Sequence, residues 1–208
     1  VSGFFFSKKI KLKTKQKFKI ITALSVFYDA INPNKFLKDV NELLLKDGVF
    51  LLEFADLASI LKYKMFDTIC HEHLEYYSSS VVIDLAKKNG LRVFDIKENK
   101  INGGSKQYFI CHQKSKFLSK NKVINQTLKV ESKLKLDKVS TFKKFFNKIK
   151  ILKNNLNNII NSIKKKKQII HCYGASTKGN VLLQYFRINK NKINFVAERN
   201  QNKYGLVT

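Results

Sequence analysis

The chain has 208 residues, 44% hydrophobic and 12% aromatic, enough for one large or two small domains with a buried core, which excludes wholesale disorder. One Pro and eight Gly exclude collagen-like and Pro/Gly-rich linker chains. Lys and Arg number 41 against 15 Asp and Glu, a net charge of +26, and no apolar run approaches the ~20 residues of a membrane-spanning helix.

The start, Val1-Ser2-Gly3-Phe4-Phe5-Phe6, has no initiator Met. Its apolar stretch is too short for a secretory leader, and the basic residues follow it rather than precede it. The expectation is a fragment of a longer chain. Phe18 to Val26 is apolar and β-branched, which predicts a buried strand. Asn32-Pro33 opens a helix, with Asn32 as cap and Pro33 in the first turn. Phe36, Leu37, Val40, Leu43 and Leu44 recur at helical spacing, and Asp47-Gly48 is expected to end that helix. Val49 to Phe54 is a second buried strand. Strand, helix, strand with short connections is a βαβ unit, hence parallel strands with a helix on the sheet.

Asp56 to Tyr63 suits a helix, as does Val81 to Asn89 with Gly90 as its stop. Leu91 to Ile96 and Lys106 to His112 are strands around the turn signal Asn102-Gly103-Gly104. They are expected to form an antiparallel pair at a sheet edge. From Ser115 to Lys167, Lys and Asn dominate and apolar residues fall at helical spacing, which predicts one or two amphipathic helices bridging two domains. Gln168 to Tyr173, Asn180 to Phe186 and Ile193 to Ala197 then read as strand, helix and strand. The expected fold class is α/β, with domains over 1–114 and 168–208 and a helical linker over 115–167.

Cys70, Cys111 and Cys172 are far apart and form no CxxC, so neither a disulfide framework nor a cysteine zinc site is indicated, and a reducing cytoplasm is the default. The surplus of Lys suits phosphates. It is spread along the chain, however, and accompanies heavy use of Asn, Ile and Phe, which fits a coding bias better than one nucleic-acid-binding face. Lys164 to Lys167 is the one dense run, suited to a helix C-terminus. A basic nucleic-acid-binding protein is the rival reading, and neither a membrane nor a nucleic acid is the expected partner.

The segment Phe66 to Ser80 carries the central chemical signal. Cys70-His71-Glu72-His73-Leu74-Glu75-Tyr76-Tyr77-Ser78 sets adjacent ionisable groups before aromatics. Imidazole suits proton transfer near neutral pH. If the segment is extended, His71 and His73 share a face and Glu72 points away. The spacing does not match the i, i+4 histidines of zincins, so no metal site is expected. Gly174-Ala175-Ser176-Thr177-Lys178-Gly179-Asn180 lies between a strand and a helix, where Gly permits close backbone approach and a helix start favours phosphate. It lacks the order of a Walker A loop. Glu198-Arg199-Asn200 follows a strand's carboxyl end, a usual ligand position in α/β folds, or is a solvated loop.

Three motifs, Cys70 to Ser78, then Asn102-Gly103-Gly104-Ser105, then Tyr173 to Asn180, resemble the sugar C-methyltransferase family in order and spacing, from about Phe18 to Gly205. That family uses S-adenosylmethionine to methylate carbon 3 of nucleotide-linked 4-keto sugars. The resemblance implies part of a class I methyltransferase sheet followed by the start of a second Rossmann-like domain. It implies His73 as general base and Glu72 as a catalytic-site residue, flanked by Cys70 and His71. Cys70 stands where the family often has Tyr; Tyr76 or Tyr77 is available to replace that phenol and to touch substrate. Asn102, Gly103, Gly104 and Ser105 would belong to the sugar pocket, and Gln107 stands where an Arg is frequent. Gly174 through Asn180 would meet the diphosphate, with Lys178 as a point charge. Tyr28 and Asp29, at the end of the first strand, are the candidates for the cofactor pocket. A Gly-rich cofactor loop and the family's cysteine-bound zinc domain do not occur within these residues, so zinc is expected only in an upstream part. A non-catalytic remnant of such an enzyme is the remaining alternative.

Overall fold

A computed structural model describes Phe5 and residues 7–206; the rest of Val1–Phe6 read above lies outside the described residues. The chain divides into two compact units, one of residues 1–63 and 72–137, the other of residues 64–71 and 138–208.

The first unit opens with α1 (Ser7–Lys13), followed by β1 (Phe18–Leu24), α2 (Pro33–Leu43) and β2 (Leu44–Phe54). Asn32 caps α2 as expected: its Oδ1 accepts the Lys35 N–H at 2.9 Å, beside Pro33 at the first helical position. The helix stops at Leu43, four residues before Asp47-Gly48. Leu44 is fully buried and pairs with Phe18, so sheet pairing takes the chain out of the helix there. The next register pair is Ile20 with Val49, which leaves the four residues Leu45 to Gly48 opposite Lys19 in a bulge of β2. Asp47-Gly48 therefore bends a strand and does not end a helix.

After β2 come α3 (Leu57–Tyr63), α4 (Ser79–Lys88), β3 (Leu91–Asn99) and β4 (Ser105–His112). The sheet order is β1-β2-β4-β3. β1 and β2 are parallel, and β4 is inserted antiparallel to both β2 and β3. The βαβ unit and the antiparallel pair at one end of the sheet are thus as expected; β1, expected to be buried, is instead the other edge strand, with Phe18, Ile20 and Leu24 exposed and Ala23 in the core. The core face carries Ala23, Phe50, Leu52, Phe54, Tyr108 and Ile110, covered by Leu37 and Val40 of α2 and by Val82 and Ala86 of α4. Asn89 ties the two helices: its Nδ2 donates to Asn34, and its carbonyl accepts from Asn41. Gly90, at φ +73°, turns the chain out of α4 into β3.

The helical stretch 115–167 is shared between the units. α5 (Asn121–Leu134) packs on β3 and α4 in the first unit, whereas α6 (Val139–Lys165) belongs to the second. In the second unit, Phe145, Ile149 and Ile160 of α6 are buried, and Asn157 Nδ2 donates to the Phe186 carbonyl at 3.1 Å. Phe66 stacks on Phe186 with ring centroids 5.0 Å apart. α7 (Thr177–Phe186) connects β5 (Cys172–Tyr173) to the parallel β6 (Val196–Ala197). The strands expected over 168–173 and 193–197 are each reduced to two residues, because each has one partner and no further strand extends the ladder.

Candidate active site

β1 leads into Ser25, at φ +55°, and then the single 3-10 turn Phe27–Asp29. Phe27 is fully buried, which turns Tyr28 and Asp29 over the carboxyl end of the strand. The Tyr28 carbonyl accepts two N–H groups, from Leu74 at 3.1 Å and Glu75 at 3.2 Å. The segment after His73 is thereby docked on the end of β1. The His73 ring lies 4.2 Å from the Tyr28 ring, at 47°, and 6.3 Å from Tyr76. The structure therefore joins two groups that lie 45 residues apart in the chain, His73 with Glu72 and Tyr28 with Asp29. Burial raises the Asp29 carboxyl above its ordinary range; His73 opposes that rise and Glu72 adds to it.

His71 and Glu72 form a turn, and the extended stretch starts at His73. The condition for His71 and His73 sharing a face is not met: a turn, unlike a strand, does not alternate its side chains. His73 is half-buried, whereas His71 and Glu72 are exposed. Cys70, half-buried, and His71 belong to the second unit; Glu72 and His73 belong to the first.

Tyr77 is buried among Phe27 and Phe54, with ring centroids 5.1 and 5.9 Å away, and its hydroxyl has no hydrogen-bond partner. Burial, then Glu75, pushes its phenol up to about 12, so it stays protonated at neutral pH. Its carbonyl accepts the Leu57 N–H at 2.8 Å. Beyond it, Ser78 caps α4, and the Glu131 carboxylate from α5 accepts the Ser79 and Ser80 N–H groups at 2.5 and 3.0 Å. Lys106 Nζ donates to Asp56 at 2.9 Å and to Ser79 Oγ at 3.3 Å, and stands 4.0 Å from Glu131. Ser79 Oγ also meets the Tyr108 hydroxyl at 3.0 Å. All of these side chains are at least nine-tenths buried. Sequence reasoning missed Asp56, Lys106 and Glu131. A lysine inside an apolar strand was the available signal, since a buried charge needs a partner.

The turn at Asn102 to Ser105 is built by unusual backbone. Asn102 has φ +56°, Gly103 +94° and Gly104 +135°. A Cβ on Gly104 would meet the Tyr63 ring at 2.9 Å. Ser105 Oγ donates to the Ile101 carbonyl, and Asn102 Nδ2 reaches Ser25 Oγ at 3.4 Å, linking the turn to the end of β1. Gln107, in place of the expected Arg, donates to Glu53 at 2.5 Å.

In the second unit, Ser176 Oγ accepts the Gly179 N–H at 3.1 Å and caps α7. Gly174 N–H donates to Ala197, and Ala175 N–H to Glu198 Oε2 at 2.6 Å. Glu198 also accepts the Asn200 N–H, and these backbone bonds hold its carboxyl below its ordinary range. Lys203 Nζ donates to the Ala175 carbonyl. A cavity of about 1430 Å³ is lined by Ala175, Thr177 and Asn180 from this loop together with Glu198, Lys203 and Tyr204. Asn180 Oδ1 is buried there without a partner. The loop's amide at Ala175 thus already faces a carboxylate. Gly174, Ser176, Lys178 and Gly179 are not in the lining.

Among the described residues no group of three or more His, Cys, Asp and Glu is arranged to hold a metal ion, and the three cysteines are free thiols. No helix is long and apolar enough to cross a membrane.

The chain is 26% identical over 174 residues to a C-methyltransferase, NovU, of Streptomyces niveus; the match covers 84% of this chain and 41% of that protein. The chain thus spans about two-fifths of the length of this curated relative. Among solved structures, a methyltransferase from Thermotoga maritima described as a possible histamine N-methyltransferase aligns with TM-score 0.39 and 18% identity, covering 49% of this chain and 59% of that one. An S-adenosylmethionine-dependent methyltransferase from Clostridium acetobutylicum aligns with TM-score 0.37 and 14% identity, covering 48% and 60%. The family described as the C-methyltransferase C-terminal domain matches residues 100–208, more than half of the chain, and the protein belongs to that family.

Proposed function

We propose that the protein works in S-adenosylmethionine-dependent C-methylation of a nucleotide-linked keto sugar, with His73 as general base. The observation that carries the reading is the docking of His73 on Tyr28, beside Asp29, at the carboxyl end of β1. Ligands of α/β sheets sit at that end of the strands.

The residues at the strand end fit a sulfonium-bearing cofactor. Asp29 offers a carboxyl group that makes no salt bridge among the described residues, and Tyr28 offers an aromatic ring. When bound, the cofactor supplies an electrophilic methyl group. The chain's own part is proton transfer and orientation. A keto group acidifies the neighbouring C–H; neutral His73 takes that proton on a ring nitrogen, leaving an enolate on the sugar. Tyr77 keeps its proton at neutral pH but its hydroxyl is buried, so Tyr76, half-buried with its ring 6.3 Å from that of His73, is the phenol that offers a donor to an enolate oxygen. Asn102 through Ser105 would shape the sugar pocket.

The test separates proton removal from methyl transfer. Protein with a thymidine-diphosphate 4-keto sugar in D2O, without methyl donor, is expected to exchange the proton next to the keto group; His73→Ala abolishes that exchange. With labelled methyl donor, label is expected on the sugar carbon. Exchange unaffected by His73→Ala overturns the role of His73, and label on oxygen overturns C-methylation.

A further inference from the structure

We infer that Glu53 is the acceptor for sugar hydroxyls, and so a residue that selects the acceptor substrate. The inference rests on the nucleotide-sugar reading above and deepens it. Glu53 is the only charged residue of the apolar run Val49 to Phe54 and lies one residue from the end of β2. It is paired with Leu24 of β1 on one side and Gln107 of β4 on the other. Strand side chains alternate, so Phe54 enters the aromatic core and Glu53 points to the opposite face. Glu53 is nevertheless only 5% exposed.

Its partners are incomplete. Gln107 Nε2 at 2.5 Å and Asn99 Nδ2 at 3.0 Å both donate to the same oxygen, Oε2. Neither bond goes to Oε1, and the carboxylate has no salt bridge among the described residues. Two neutral amides hold one oxygen, while the other, which is not among the buried atoms left without a partner, is open at the surface and keeps its lone pairs for an incoming donor. A ligand that brings O–H donors completes the shell; a phosphate or carboxylate at the same spot is repelled.

The surroundings fit a sugar. The Ser25 N–H donates to the Glu53 carbonyl at 2.8 Å, and Asn102 Nδ2 reaches Ser25 Oγ, so the glycine turn, the end of β1 and Glu53 form one polar rim. The neighbouring Phe54 ring is 6.3 Å from Tyr28, on which His73 lies. The amides of Gln107 and Asn99 fix Oε2, which orients Oε1 for an incoming hydroxyl.

Calorimetry tests this on the 208-residue chain with TDP, UDP and GDP and with their glucose conjugates. The expected result is that at least one conjugate binds roughly 10-fold or more tighter than its nucleoside diphosphate, as a hydrogen bond to a charged group allows. Glu53→Gln and Glu53→Asp are expected to erase that increment while leaving nucleoside diphosphate affinity unchanged. An increment that survives in a folded variant overturns the role of Glu53 and leaves the nucleotide-sugar reading standing. Failure of the wild type to bind any of the six ligands overturns that reading and this inference with it. Loss of folding in both variants, seen by thermal melting, makes Glu53 a structural residue and also overturns the inference.

Discussion

The His73 ring sits on the Tyr28 ring with centroids 4.2 Å apart, and the Tyr28 carbonyl holds the next two amides of the His73 segment. One residue after β1 thereby fixes both the position of the imidazole and the path of the chain that follows it. His71 has no such support and is exposed. His73→Ala is expected to lower turnover by about 10²–10⁴-fold, the usual worth of general base catalysis, in protein that still melts normally. His71→Ala should stay within a few-fold of wild type. Equal losses in the two variants would reject the distinction drawn between them.

Tyr77→Phe should cost no stability at neutral pH, because the hydroxyl it removes is buried without a partner. The same substitution should change the alkaline limb of the stability curve. Below the ordinary phenol value of 10 both folded and unfolded chains are protonated, and burial of the neutral ring is at its full worth. Between 10 and about 12 the unfolded chain ionises first, so stability falls, by on the order of 2–3 kcal/mol over that span. Urea melts from pH 8 to 12 should show a shallower fall in Tyr77→Phe. Tyr108, whose phenol burial also raises well above its ordinary range, supplies the remaining slope.

Lys106→Met should destabilise the first unit by about 3–5 kcal/mol, since it leaves Asp56 and Glu131 buried without their cation. Glu131→Ala strips the acceptor from the Ser79 and Ser80 amides and is expected to cost about 2–4 kcal/mol. These two changes share one network, so the double variant should lose less than the sum of the singles. Denaturant melts of the three variants decide this; additive losses would mean that the groups act independently.

Gly104→Ala meets two obstacles, a φ of +135° and a Tyr63 ring 2.9 Å from the new methyl. The expected loss is above about 1 kcal/mol. Tyr63→Ala in the same chain should recover the steric part and leave the backbone part. If the double variant recovers nothing, the backbone angle alone sets the requirement for glycine.

Much of this was legible from local chemistry. Asn32-Pro33 capped a helix where the pattern required it, and Gly90 left α4 where a left-handed residue was needed. Asp47-Gly48 misled, because a turn dipeptide looks the same in a helix stop and in a β-bulge. The choice was made by Leu44, whose burial against β1 is a long-range event. The short strands of the second unit follow the same rule: Gln168 to His171 have strand composition and no neighbouring strand to pair with.

The order of motifs and the residue types were enough to single out His73, Glu72 and the glycine turn as a candidate site, since reactive side chains at fixed spacing are a one-dimensional property. Which histidine is sheltered, what carboxyl stands beside it, and how Asp56, Lys106 and Glu131 close around the start of α4 depend on elements 20 to 75 residues apart in the chain. Burial and hydrogen-bond satisfaction come only from packing those elements together, and so they were decided by the tertiary structure alone.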